Sequence, residues 1–345
     1  MALLAVIPGL VGLYGLAAVA ARRRSGRGET WARETVADLS CAWLLDEGRD
    51  GVAVALGGHT VRVAQIPGTL DGDGTLFELP VPAPLPPGFS LRRSSLLFGD
   101  AVPRVPLAPS SGFADLVVRS TEPDWARRVV SAPEAAAAIH RVTQDRIALV
   151  VDGGVLRALL SGVAFPAQVL ALAGRFLEVA VALADGSLSP WVSEGARHGL
   201  QLVSHDGNGL RLGSTDGTTR LSFRRERSQD VGQQCLQVAI GGEFPESLRM
   251  LARVPGGAGG QSLGDLVLDR GLVAVGATGD LGARLGRDGI RGPLLDFLHG
   301  TGHRRVRCGM LEIRVPGGAE PVLLGELDAL HELADRLRTP WVDGR

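Results

Sequence analysis

Residues 51–66 read GVAVALGGHTVRVAQI, and this stretch decides the fold class. Gly51 to Leu56 and Thr60 to Ile66 are runs of β-branched and small apolar residues on either side of Gly57-Gly58. Two glycines between such runs supply the positive φ angles of a tight antiparallel hairpin. The pattern returns as Gly209-Leu-Arg-Leu followed by Thr218 to Phe223. A third strand follows each hairpin, Thr75 to Val81 and Cys235 to Ile240. A proline-marked crossing comes next, with Pro82, Pro84, Pro86 and Pro87 in the first case and Pro245 in the second.

The elements beyond keep the same order. In the first half, Phe89 to Arg93 and Leu116 to Arg119 read as strands. Thr121-Glu122-Pro123-Asp124 opens a helix with acids in its first turn, and Ser131 with Glu134 reads as a capping box for the next. Arg146 to Asp152 and Val155 to Leu160 flank Gly153-Gly154, and Pro166 to Leu183 is a long helix. In the second half, Val267 to Val275 reads as a strand, and Gly279-Asp280-Leu281 and Gly292 to Leu298 as helical pieces. Arg304 to Arg307 and Met310 to Val315 flank Cys308-Gly309, and Pro321 to Arg338 closes the chain as an amphipathic helix. Gly51 to Gly209 and Pro87 to Pro245 are each 158 residues apart, Asp124 to Asp280 is 156, and Pro166 to Pro321 is 155. A period of about 157 residues is the size of a domain, not of a solenoid repeat. The expected body is therefore α+β, with two similar, mainly antiparallel sheet-plus-helix domains from an internal duplication, copy 1 over 46–187 and copy 2 over 188–339, then a tail, 340–345.

Upstream of this body, Ala2 to Ala21 carries no charge and is followed by Arg22, Arg23, Arg24 and Arg27. An apolar helix of about 20 residues matches the hydrocarbon thickness of a bilayer. Residues 1–21 are therefore expected to form an N-terminal transmembrane anchor, and 22–45 a basic tether with a helix from Thr30 to Leu45. Positive flanks stay in the cytoplasm, so the body is expected on the cytoplasmic side of a bacterial inner membrane. Arg22, Arg23, Arg24 and Arg27 are expected to meet anionic lipid. Ala18-Val19-Ala20 leaves a cleaved signal peptide, and hence an extracytoplasmic body, as the alternative.

Composition narrows the chemistry. The chain has 345 residues and a formal net charge of −1, which gives no sign of a nucleic-acid binder. All 36 basic residues are arginine, and Asn208 is the one asparagine, a bias expected of a GC-rich bacterial genome. Cys41, Cys235 and Cys308 form no CxxC and suit a reducing compartment.

No catalytic, cofactor-binding or metal-binding residue is assigned. Asp296, His299, His303 and Cys308 crowd together, but Gly300-Thr301-Gly302 breaks the helix that would align the two histidines. The glycine-rich stretch Gly256 to Ser262 lacks the lysine of a P-loop. Arg305 and Arg307 share one face of a strand beside Arg304, a basic knot that reads first as a solvated face and second as a contact for lipid heads or an acidic partner.

Several segments carry a likeness to known proteins: VPAPLPPGFSLRR (81–93), GFADLVVRSTEPDW (112–125), the strand-Gly-Gly-strand-helix ending at 146–184, and LDRGLVAVGATGD (268–280). Together they resemble a loose group of uncharacterised bacterial single-pass membrane-anchored proteins, in which one N-terminal helix precedes domains of unknown function. The resemblance spans most of 45–338 and implies no activity. The expectation is thus a non-enzymatic binding or scaffolding module with an unidentified protein partner. The alternative is a tethered enzyme whose site is assembled from distant residues.

Overall fold

The computed structural model describes residues 43–45, 51–69, 72–93, 102–107, 115–145, 147–162, 164–225, 232–241, 244–254, 260–276, 280–287, 289–317 and 320–342. The chain divides into two compact units, Met1–Ser187 and Leu188–Arg345.

The first unit is an eight-stranded sheet with helices on one face. Its strands are β1 (Trp43–Leu45), β2 (Gly51–Leu56), β3 (His59–Thr69), β4 (Gly72–Pro80), β5 (Ser90–Arg93), β6 (Leu116–Arg119), β7 (Ala148–Asp152) and β8 (Val155–Ser161). They lie in the order β1-β2-β3-β4-β8-β7-β5-β6. Gly57 and Gly58 turn β2 into β3 at φ 54° and 81°, and Leu56 then faces His59 across the hairpin. Period-2 alternation sends Val61, Val63, Phe77, Leu79, Leu149, Val151 and Leu156 to one buried face. Helices α1 (Pro123–Ser131), α2 (Pro133–Gln144) and the part of α3 (Pro166–Arg197) up to Ser187 cover that face. Phe176 of α3 sets its ring 4.9 Å from that of Phe77.

In the second unit the strands are β9 (Leu200–Asp206), β10 (Gly209–Ser214), β11 (Thr219–Arg225), β12 (Gly232–Ala239), β13 (Arg249–Ala252), β14 (Leu272–Val275), β15 (His303–Arg307) and β16 (Met310–Gly317). Written from its other edge, the sheet runs β9-β10-β11-β12-β16-β15-β13-β14, which is the first order repeated strand for strand. Helices α4 (Leu266–Gly271), α5 (Leu281–Leu285) and α6 (Arg291–His299), a 3-10 turn (Val322–Glu326) and α7 (Leu327–Val342) complete the unit. Its core gathers Leu212, Leu221, Phe223, Leu236, Val306, Leu311, Ile313 and Leu337. Two similar antiparallel sheet-plus-helix units are thus present.

The membrane part of the expected fold is corrected. Among the described residues, the helix long and apolar enough to cross a membrane is Ala167–Arg197, in mid-chain and not at the N-terminus. The lipid contacts expected of the N-terminal helix and of Arg22, Arg23, Arg24 and Arg27 are corrected with it, because these arginines do not flank that helix. Residues 1–42 lie outside the described residues. The physical reason is that hydropathy registers length and composition, not what an apolar stripe packs against. In α3, Val169, Ala173, Phe176, Val179 and Leu183 are fully buried in the first unit, while Leu170 remains exposed on another side.

Smaller corrections follow from local chemistry. Trp43–Leu45 is strand β1, paired to Val52–Val54, where a helix from Thr30 was expected; a three-residue apolar run fits either period. The stretch from Val267 to Val275 is not one strand. Asp265 accepts hydrogen bonds from the Val267 and Leu268 amides and so caps α4 before β14 begins. Ser131 ends α1, and Ala132 precedes α2 without a side-chain cap, so there is no capping box. Helix α3 continues through Pro190 to Arg197, and β9 was not foreseen. The counterpart of Pro245 is Pro86: each carbonyl accepts the amide three residues on, from Leu248 at 3.2 Å and from Phe89 at 3.0 Å.

Candidate functional site

The sheet of the second unit has one face against its helices and one that no helix of the unit covers among the described residues. Alternation assigns side chains to each. Leu212, Leu221, Phe223, Leu236, Met250, Val306, Leu311 and Ile313 take the buried face. Their strand neighbours Arg211, Arg220, Arg224, Arg249, Arg305, Arg307 and Arg314 therefore share the open face. Glu312 is the one carboxylate on β10–β16.

Register places these groups in rows. One row runs Arg220, Gln237, Glu312, Arg305 and Leu251 across β11, β12, β16, β15 and β13. Glu312 sits at its centre with its side chain 5% exposed. It accepts from Arg314 Nε at 2.7 Å and from Gln237 Nε2 at 2.9 Å, and it pairs with Arg305. Burial pushes the Glu312 carboxyl up, but Gln237, Arg314 and Arg305 outweigh it and hold the group below its ordinary value. Burial and the nearby Glu312 charge push the Cys235 thiol up, away from the reactive thiolate.

The remaining five arginines differ. Arg211, Arg220, Arg224, Arg249 and Arg307 have no carboxylate partner among the described residues, and all five are exposed. Arg249 and Arg307 stand directly opposite each other, an arrangement of like charges that costs stability in the absence of an anion. Exposed Leu251 and Val275 lie beside them.

The open face of the first sheet is built otherwise. Its central row runs Arg62, Glu78, Arg157 and Val150, with Arg157 Nε 2.8 Å from Glu78 Oε1. At the ladder position of Arg307 stands Asp152, and at that of Arg249 stands Ser90. The two copies share a fold and differ in the charge they display.

The helix side of the second unit holds a cavity of about 340 Å³. Its floor is Pro293, Phe297, Leu330 and Leu333. Both arginines at its rim are paired. Arg304 pairs with Glu326 at 3.0 Å and lies over the Phe297 ring, 5.7 Å from its centre, while Arg336 bonds Glu332 and the Gly289 carbonyl. Thr219 Oγ1 lies 2.9 Å from His331 Nε2, but Thr219 is fully buried, so this contact satisfies a core hydroxyl and presents no nucleophile to solvent.

The crowded residues near the end of the chain do not converge. His299 Nε2 lies 2.8 Å from the Gly271 carbonyl, His303 is exposed at the start of β15, and Asp296 rims the cavity. Cys308 occupies the β15–β16 turn at φ 53°, the place Gly153 holds in the first unit. Among the described residues no group of three or more His, Cys, Asp or Glu could hold a metal ion. Of the glycine-rich stretch, 256–259 lies outside the described residues. Its end is tied down by the Gln261 amide on Ala274 and by Ser262 on Asp269.

The basic knot was legible in part: Arg305 and Arg307 do share the open face, while Arg304 turns to the helices. Arg211, Arg220, Arg224, Arg249 and Arg314 are not distinguished in the sequence from the arginine bias of the whole chain. The signal for them was position: each sits one residue away from a core apolar on a strand of copy 2.

No protein-family model matches this chain, and no curated protein matches it. Among solved structures, the crystal structure of the mycobacterial trehalose monomycolate transport factor A, TtfA, is similar at 15% identity and a TM-score of 0.32, covering 48% of this chain and 94% of that one.

Proposed function

We propose that the protein is a non-catalytic docking module that holds an anionic macromolecular partner on the open sheet face of its second unit. The observation that carries this reading is the set of five exposed arginines without a carboxylate partner among the described residues, on a sheet whose twin in the first unit balances Arg157 with Glu78. A face of eight strands spans about 34 Å across and about 17 Å along, roughly 600 Å², close to one side of a standard protein interface. The free thiols of Cys235 and Cys308 support a body in a reducing compartment, on the cytoplasmic side of a bacterial membrane.

The test is binding of the full-length chain to heparin, a generic polyanion. Wild type should bind at low salt and release steeply as salt rises. Reversal of Arg220→Glu with Arg224→Glu should weaken binding about tenfold or more, and Arg62→Glu in the first unit should leave it unchanged. If wild type ignores heparin at low salt, or if the first-unit variant loses as much, the docking reading fails.

A further inference from the structure

The geometry points to an acidic, extended polypeptide segment as the occupant of this face, laid across the strands from β10 to β13, in preference to a bilayer surface. The inference rests on the docking reading above and adds the class of partner.

The five unpartnered arginines fall into two groups. Arg211, Arg220 and Arg224 sit on β10 and β11, and Arg249 and Arg307 on β13 and β15. Between the outermost strands of the set lie five steps of the sheet, β10-β11-β12-β16-β15-β13. Each step rotates the strand direction by about 20–25°, so the two ends differ by roughly 100–125°. A flat lipid surface meets one group and leaves the other pointing away. A flexible chain follows the twist. Five steps at about 4.8 Å make about 24 Å, the reach of some seven or eight extended residues.

The chemistry between the groups agrees with a carboxylate-bearing strand. Glu312 sits at the centre of the path, but Arg305, Arg314 and Gln237 cover it, so it presents little charge to a ligand passing over. Arg guanidinium groups bind carboxylates in a bidentate fork, which a lysine cannot reproduce. Leu251 and Val275, 47% and 54% exposed, offer apolar contact beside Arg249. The one Phe, Tyr or Trp on β9–β16 is Phe223, which is buried on the helix side, and the lone imidazole of His303 on the open face is too little for a platform on which successive bases stack.

The experiment compares two probes on the full-length chain: dye-labelled poly-L-glutamate of about 20 residues, and phosphatidylcholine vesicles with about 30% phosphatidylserine, read as the difference between wild type and variant. Arg249→Glu with Arg307→Glu, and separately Arg220→Glu with Arg224→Glu, should each weaken poly-glutamate binding about tenfold, because both ends of the path are used. Arg249→Lys with Arg307→Lys keeps the charge and the fold and should still lose about threefold. Vesicle binding should not distinguish any variant from wild type. Loss confined to one pair overturns the path across the strands, and lysine variants equal to wild type overturn the carboxylate fork. If the variants lose vesicle binding and keep poly-glutamate binding, the occupant is lipid; the inference then falls while the heparin result still upholds an anion-docking face. Loss of heparin binding by wild type removes both.

Discussion

At the scale of single residues, Glu312 is the carboxylate at the centre of a crowded arginine face. Its single negative charge is shared by two of the seven guanidinium groups in a setting where its own side chain is almost closed to water. Glu312→Gln keeps the shape and leaves Arg305 and Arg314 to repel each other. The expected cost is about 1–3 kcal/mol, toward the lower end because both arginines are partly open to solvent. Urea unfolding of wild type and variant measures it. The sign of the pH effect follows from the direction of the shift. The folded carboxyl titrates below its unfolded value of about 4.3, so its contribution is complete above that pH and is lost as pH falls through the folded value. Wild type should therefore lose more stability than the variant below about pH 4.3, and parallel acid limbs would contradict this.

At the scale of elements, α3 shows how one helix satisfies a membrane test and a packing role together. Its buried stripe, Val169, Ala173, Phe176, Val179 and Leu183, closes the first core, while its last turns, from Leu188 on, belong to the second unit, where the Trp191 and Phe223 rings lie 5.4 Å apart. Gly186 lets α1 approach: a methyl group there would come within 2.9 Å of the Val129 carbonyl. The two stripes respond differently to truncation. Phe176→Ala should cost about 3–5 kcal/mol, since it opens a cavity against Phe77. Leu170→Ser, on the exposed side, should change stability by less than about 0.5 kcal/mol. Thermal unfolding of both variants checks the pair. Equal effects would mean that the helix does not use one face for the core.

At the scale of the whole molecule, the repetition is of fold and not of surface. Both units run the same eight strands in the same order, yet exposed Asp152 of one becomes Arg307 of the other, and buried Ser90 becomes exposed Arg249. Core positions in the two copies answer to the same packing, whereas outward positions are free to change sign without unfolding anything. Installing the first-unit residues in the second, Arg307→Asp with Arg249→Ser, should therefore leave the melting temperature within a few degrees and remove most heparin binding. A variant that binds heparin as wild type does would separate these arginines from the docking surface.

The sequence by itself determined the class of the fold. Alternation around Gly57-Gly58, Gly153-Gly154 and Cys308-Gly309 has period two, and only a pleated strand matches that period. The spacing near 157 residues by itself points to two copies. It did not determine β9, the capped turn into α4, or the length of α3, because short apolar runs and a helix-internal proline are decided by what packs against them. Nor could it sort the arginines. Arg304, Arg305 and Arg307 are neighbours in sequence, but one reaches Glu326 on the helix side while the other two face outward. Arg211 and Arg249 come onto that same open face only through the strand order. Charge summed along a chain is local information; the field of a surface belongs to the sheet that assembles it.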